Sequence, residues 1–330
     1  MSRVNGMLPW LALGLAATIV VGPVQGQGDI SYPVRPIRVV VPFPPGGGAD
    51  LTARLVAQKM TASTGQPVVV ENRPGSNGVI GTDLVAKAPA DGYTILFVDR
   101  GALGINPAMY PKLPYDPLKD FAYVGIATEG PYVLVANPSL DVKTLRELVA
   151  LAKSKPGGVS YGSFGVGSMA QMNLESLARY AGIELHHVPY SGAPPAVKAV
   201  VAGEVGIAIA SLPSVIGFIR DGRVRAIAVG SDRRLELLPD VPTIAEAGGS
   251  LETLLPTYFA FAVPVGTPLA IVTRLNTEMK AALAQPDVVE KLAANGLVVR
   301  GGTADAMTQT VRSDVERFTT LARAARIKAD

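Results

Sequence analysis

A chain of 330 residues that is 48% hydrophobic and 17% charged can bury a full core, long enough for two lobes, which excludes a disordered chain. Its formal net charge of +3 falls by one without Arg3, the only charge before residue 27, and no run of five like charges occurs. Nucleic acid is therefore not an expected partner, and with no cysteine neither a disulfide framework nor a cysteine-linked lipid anchor is available.

In chain order, Arg3 precedes "MLPWLALGLAATIVVG", an apolar stretch as long as a secretory signal core but short of the ~20 residues of a spanning helix. Cleavage near Gly26, with Val24 and Gly26 at the specificity positions, predicts export to the periplasm. Residues 1–26 are then a signal peptide. The rest alternates short β-rich runs with amphipathic stretches, the pattern of an α/β protein with mainly parallel sheets. Strands are expected at "IRVVVPF" (37–43), "PVVVEN" (67–72), "YTILFV" (93–98), "YVLVAN" (132–137), "VSYGS" (159–163), "VGIAIA" (205–210), "VRAIAVG" (224–230) and "YFAFAVP" (258–264). Helical spacing of Leu51, Leu55 and Val56, of Leu145, Leu148, Val149 and Ala152, and of Met307, Val311, Val315, Phe318 and Leu321 marks core-facing stripes. The proline-rich stretch 106–120 is expected to connect two lobes, with the return crossing around 248–256. That gives one lobe from 27–128 with 253–330 and another from 129–252.

Two stretches carry chemistry. "VPFPPGGGAD" (41–50) ends a strand in three glycines and runs into a helix, so the N–H groups of the first helical turn have no internal acceptor and form an anion seat. Phe43, Gly46, Gly47 and Gly48 are its expected lining, and Asp50 is expected to cap the helix beside it. No lysine of a phosphate loop follows the glycines, and the spaced-glycine dinucleotide pattern is not met. "SYGSFGVGSMAQ" (160–171) repeats the arrangement with Ser163, Val166, Gly167 and Ser168. Two such seats, one in each half of the chain, suit a small anion gripped at the carboxyl ends of strands.

Ordered blocks across the chain, among them "YPVRPIRVVVPFPPGGGAD", "GQPVVVENRPGSNGVIG", "ADGYTILF", "HVPYSGAPPAV", "GRVRAIAVGS" and "LPDVPTIAEAG", resemble the Bug-type extracytoplasmic receptors, the TctC class of the tripartite tricarboxylate transporters. The resemblance covers residues from about Tyr32 to Asp330. It implies a two-lobed type II periplasmic binding protein, a Venus flytrap whose lobes are mixed, mainly parallel sheets flanked by helices. It also implies a carboxylate ligand held by the loops Phe43 to Asp50 and Ser163 to Ser168, and delivery to the transporter's membrane subunits. The expected protein is a monomer without cofactor or metal.

This chain departs from the family pattern at several positions. Arg100 stands where a small or hydroxyl residue is common, and its guanidinium could hold a second carboxylate; an ion pair with Asp99, Asp91, Asp116 or Asp120 is the alternative. Gly206 and Ala210 replace two acidic positions, Ser211 follows Ala210 into the expected site, Gln171 replaces a common histidine and Ser191 a common lysine. Tyr190 is expected either to line the pocket or to pack near the hinge. His186 and His187 are adjacent, so a strand sends them to opposite faces, and both are expected to be structural. A sensory receptor with the same binding chemistry is one alternative function. A serine hydrolase built on Ser168 is another, although the chain has no nucleophile-elbow pentapeptide.

Overall fold

The computed structural model describes residues 1–2, 31–325 and 327; the expected signal peptide, cleaved near Gly26, lies outside the described residues. Tyr32 onward forms one compact unit built on two sheets. The strands are β1 (Ile37–Val41), β2 (Val68–Asn72), β3 (Thr94–Asp99), β4 (Phe121–Gly130), β5 (Tyr132–Ala136), β6 (Ser160–Ser163), β7 (His186–Pro189), β8 (Ile207–Ser211), β9 (Arg225–Val229), β10 (Thr257–Pro264) and β11 (Val298–Val299). The first sheet has the order β11-β4-β10-β3-β1-β2, and the second β7-β6-β8-β5-β9. Both are mixed. In the first, β1 runs parallel to β2 and β3, while β10 lies antiparallel between β3 and β4. In the second, β6 is parallel to β7 and β8, while β5 is antiparallel to β8 and β9.

Helices α1 (Gly48–Thr64), α2 (Val79–Ala86), α3 (Asn106–Met109), α4 (Leu145–Ser154), α5 (Met169–Ala181), α6 (Ala193–Ala202), α7 (Leu212–Arg220), α8 (Leu269–Leu283), α9 (Pro286–Ala294) and α10 (Ala304–Ala325) cover the sheets. Their starts follow local chemistry. Thr144 and Glu147 close a capping box on α4, and Ser168 caps α5. The predicted stripes face the cores: Leu145, Leu148 and Ala152 are buried, as are Met307, Val311 and Phe318.

Besides the sheets being mixed rather than mainly parallel, three features differ from the sequence reading. Strand β4 was not expected, because its pairing with β10 is shifted twice, between Phe259 and Ala260 and between Phe261 and Ala262. Each bulge inserts a residue and breaks the two-residue alternation by which a strand is recognised. The proline-rich stretch does not connect the sheets. It joins β3 to β4, which both flank β10, and its buried Tyr115 donates to the Ala102 carbonyl at 2.7 Å and accepts from Asn106 at 3.0 Å. The sheets are joined instead at Gly130–Pro131–Tyr132 and again at Leu254–Thr257. Third, α10 serves both cores. Met307 and Val311 pack with Leu96, Val98 and Tyr258 of the first, whereas Phe318 and Ala322 pack with Leu174, Leu177 and Ile209 of the second.

A further bridge joins the two halves beside the first crossing. Leu212, at the start of α7, presses on Gly296 before β11, and a Cβ at 296 would lie 2.5 Å from Leu212 Cδ2. Gly296 also has φ +66°, a conformation disfavoured for side-chain-bearing residues. Gly296→Ala is expected to cost about 2 kcal/mol and lower Tm by roughly 4 °C. In a thermal-unfolding double-mutant cycle the loss should be smaller in a Leu212→Ala background, and strict additivity would show that the two residues do not press on each other.

Candidate ligand-binding site

Both predicted turns lie at carboxyl ends of strands. The first runs from β1 into α1. Gly47 is the N-cap, and the first intrahelical bond is from Leu51 N–H to the Gly47 carbonyl at 3.0 Å. The amides of Gly48, Ala49 and Asp50 therefore have no acceptor within the helix. Gly46 adopts φ +90°, which lets the chain turn sharply before them. Half-buried Phe43 closes the turn against Gly78 and reaches Val41 and its neighbours in the first core.

Asp50 is not the helix cap; the backbone enters the helix three residues earlier, at Gly47. As the third helical residue, it reaches back to the Gly46 N–H at 3.1 Å, accepts from Arg54 Nε at 3.0 Å, and accepts from Asn72 Nδ2 at 3.0 Å. Burial would raise its pKa, but the hydrogen bonds from Arg54, Asn72 and Gly46 outweigh it and hold the carboxyl below its ordinary range. Asn72 Nδ2 also donates to the Phe43 carbonyl at 3.1 Å. The carboxylate is thus neutralised while it fixes the turn from the β2 side.

The second turn runs from β6 into α5, and here the side chains satisfy one another. The Gly167 N–H donates to Gln171 Oε1 at 2.7 Å, so the amide nitrogen of Gln171 faces His187 Nδ1, at 3.2 Å. His187 Nδ1 must then accept, which leaves the proton on Nε2, facing Ser163 Oγ at 2.6 Å. Ser163 in turn donates to the Gly165 carbonyl at 3.0 Å and accepts from the Gly165 N–H at 3.2 Å. Tyr161 stacks on the imidazole, centroids 4.9 Å apart. Burial, and then His186, push the His187 pKa below its ordinary value, in keeping with the neutral form this chain of bonds requires.

The unpaired amides expected around Val166 to Ser168 consequently lie further along. Gly167 N–H is taken by Gln171, and Ser168 N–H donates to the Gly165 carbonyl at 3.2 Å. Ser168 Oγ caps the Gln171 N–H at 3.4 Å, and the first helical bond runs from Met172 N–H to the Ser168 carbonyl. The amides of Met169 and Ala170 are left without an acceptor in the helix. Val166 projects from the turn, 38% exposed. The segment 101–109 neighbours both turns: Ala102 lies against Gly78, which Phe43 also touches, and Met109 packs on Gly167, where a Cβ would be 2.9 Å from Met109 Cγ.

The other expected residues are placed as follows. Arg100, at the end of β3, is 9% exposed and engaged by other groups of the protein. Its Nε donates to Asp314 at 3.1 Å, one terminal nitrogen donates to the Pro256 carbonyl at 2.6 Å, and its guanidinium lies 4.8 Å from the Tyr258 ring. The partner is none of the nearby aspartates but Asp314 of α10, 214 positions along. Asp99 instead turns to the backbone: burial pushes it up to about 6, against hydrogen bonds from the Ala102 and Gly101 amides. Ser211 pairs with Ser214 at 2.9 Å at the start of α7. Tyr190 follows β7 beside the second turn, where its N–H donates to the Ser163 carbonyl at 3.1 Å; its ring packs on Gly162, and its phenol is raised by burial and by Glu204 before β8. His187 and Gln171 were not read as site residues. The strand alternation that separates His186 from His187 was legible, but it does not tell which neighbour His187 meets.

The chain matches the tripartite tricarboxylate transporter family receptor, TctC, over residues 52–326. It is 42% identical over 317 residues to a protein of the tcbD–tcbE intergenic region of Pseudomonas sp. strain P51, covering 96% of this chain and 94% of that one. It is 37% identical to BugT of Bordetella pertussis, covering 94% and 95%. Among solved structures it is similar to R. palustris Rpa4515 with adipate (33% identity, TM-score 0.82, covering 90% of this chain and all of that one). Another similar structure is MatC of Rhodopseudomonas palustris with bound malate (33%, TM-score 0.79, covering 88% and 99%).

Two expectations follow from the geometry. Arg100→Ala leaves Asp314 buried without a partner and should cost about 3 kcal/mol in urea unfolding, whereas Arg100→Met with Asp314→Leu should recover most of it; an unaltered single mutant would mean the pair is solvated. Because the folded pKa of His187 is depressed, the unfolded chain takes up a proton below about pH 6.5 that the folded chain refuses. Stability should therefore fall as pH drops from there through the folded pKa, and His187→Asn should flatten that part of a Tm-against-pH curve.

Proposed function

This chain belongs to the TctC family, the tripartite tricarboxylate transporter family receptors, and from that premise we propose that it captures a small carboxylate between two lobes in the periplasm and presents it to the membrane subunits of such a transporter. The observation that carries the reading is the pair of strand-to-helix turns. One comes from each sheet, and each has first-turn amides without an internal acceptor. Unpaired amides at a helix N-terminus favour an anion, and the aligned peptide dipoles add to the attraction. That adipate and malate occupy two similar structures supports a carboxylate.

Among the predicted lining residues, the charged side chains are already paired, Asp50 with Arg54 and Arg100 with Asp314. Recognition by backbone N–H groups, directly or through water, fits this arrangement. The lobes we assign are residues 27–128 with 253–330, and 129–252; the two sheets support such a division, although Glu129 and Gly130 of β4 still pair in the first sheet and the far half of α10 packs on the second. Ligand closure would then be a shift in the population of lobe arrangements, driven by contacts made to both turns at once.

We read the protein as a receptor rather than a catalyst. Ser163 and His187 are within hydrogen-bond distance, but the Gln171 contact puts the ring proton on the nitrogen that faces the hydroxyl, so the imidazole has no lone pair there to accept it. Ser168, the serine of the hydrolase reading, is engaged as a helix cap.

A thermal-shift screen tests the reading against adipate, malate, monocarboxylic acids of matched length, and the corresponding amides. A ligand at 100 times its Kd adds about 2.7 kcal/mol, so acids should raise Tm by several degrees and amides should not. Shifts with amides equal to those with acids would defeat the carboxylate reading.

A further inference from the structure

The two chain crossings between the sheets share a construction. At the first, Gly130 is laddered to Thr257 in the first sheet, and Tyr132 is laddered to Ser211 in the second, its carbonyl accepting from Gly230 N–H at 2.8 Å. Only Pro131 lies between them. At the second crossing, both backbone groups of Leu255 are held by Asn173 of α5. Its Nδ2 donates to the Leu255 carbonyl at 3.1 Å, and its Oδ1 accepts from the Leu255 N–H at 3.2 Å. The next carbonyl, that of Pro256, is held by Arg100 from the end of β3.

The peptide plane before Pro256 is thus fixed to the second sheet and the plane after it to the first. Two torsions separate those planes, φ and ψ of residue 256, and the proline ring fixes φ near −65°. One soft torsion remains. Residue 131 is again a proline between one residue of each sheet, so its φ is fixed too, and the ladder pairings of Gly130 with Thr257 and of Tyr132 with Ser211 hold the residues on either side. The crossings are neighbours, because Gly130 pairs with Thr257.

From this geometry we propose that Pro131 and Pro256 form a paired hinge in which each crossing bends through a single torsion, and that Asn173 and Arg100 are the positioning residues that confine bending to it. The hinge lies outside the ligand reading, which requires closure but says nothing of where the chain bends. Asn173 also connects the hinge to the second turn. It lies five residues after the cap Ser168 on the same helix and is 1% exposed, so a pull on the N-terminus of α5 is carried to Leu255 by two hydrogen bonds. A cavity of about 370 Å³ adjoins this grip on the second-sheet side, lined in part by Met172, Asn173, Leu255, Phe318 and Leu321.

The absence of native cysteine makes a label pair unambiguous. Spin labels at Val69→Cys, exposed on β2, and Lys153→Cys, exposed on α4, report the distance between the halves in the ligand-free protein. Pro131→Ala with Pro256→Ala should roughly double the width of the distance distribution, since each freed φ adds a soft torsion to one crossing. Pro138→Ala, in a turn within the second half, should leave the width unchanged. Asn173→Ala, with both prolines intact, should also broaden the distribution and speed hydrogen exchange at the Leu255 amide. An unchanged width in the double-proline variant, or broadening no greater than that of Pro138→Ala, overturns the proposal. If the double variant does not fold, an unchanged width in Asn173→Ala overturns it alone.

Discussion

The buried pairing of Arg100 with Asp314 joins the parts of this molecule that the chain itself keeps apart. Arg100 ends β3 of the first sheet, Asp314 sits between Val311 and Phe318 on α10, and the same guanidinium holds the carbonyl of Pro256 where the chain returns from the second sheet. Burying two charges is expensive, and burial pushes the Asp314 carboxyl above its ordinary range even with Arg100 beside it. The pair is therefore a poor source of stability but a strong source of position: an unpaired alternative leaves a charge in the core, so α10 has one register against the first sheet.

Around that fixed point the two strand-to-helix turns are built by opposite means. The first is held by an ionised group, Asp50, whose carboxylate gathers Gly46, Arg54 and Asn72. The second is held by neutral groups in series, Gly167 to Gln171 to His187 to Ser163 to Gly165. In both, the side chains finish one another's hydrogen bonding and leave first-turn amides without an acceptor in the helix. On the proposed carboxylate reading, such a site would discriminate by backbone amides and by apolar neighbours such as Phe43 and Val166, not by an ion pair. Replacing a few lining residues would then change the ligand without rebuilding the turns, which fits similar chains holding adipate and malate.

The sequence by itself determined the fold class, most strands and both turns, because these are set by interactions within a few residues: β-branched runs, helical stripes, glycines before a helix, a serine that caps one. It also determined, through the ordered blocks, the family to which the chain belongs. Strand β4 escaped because its two bulges exist only against β10. The partner of Arg100 escaped because four aspartates lie close in sequence and the one it meets is 214 positions away. Asp50 looked like a cap, and only the backbone angles at Gly47 place the helix start earlier. His187 looked like a structural residue, and only the register of β7 against β6 brings it to Ser163 and Gln171. What tertiary structure alone decided is thus which polar groups are already satisfied. Local sequence determines which donors and acceptors exist, but whether a ligand can use them depends on partners that folding brings from elsewhere in the chain.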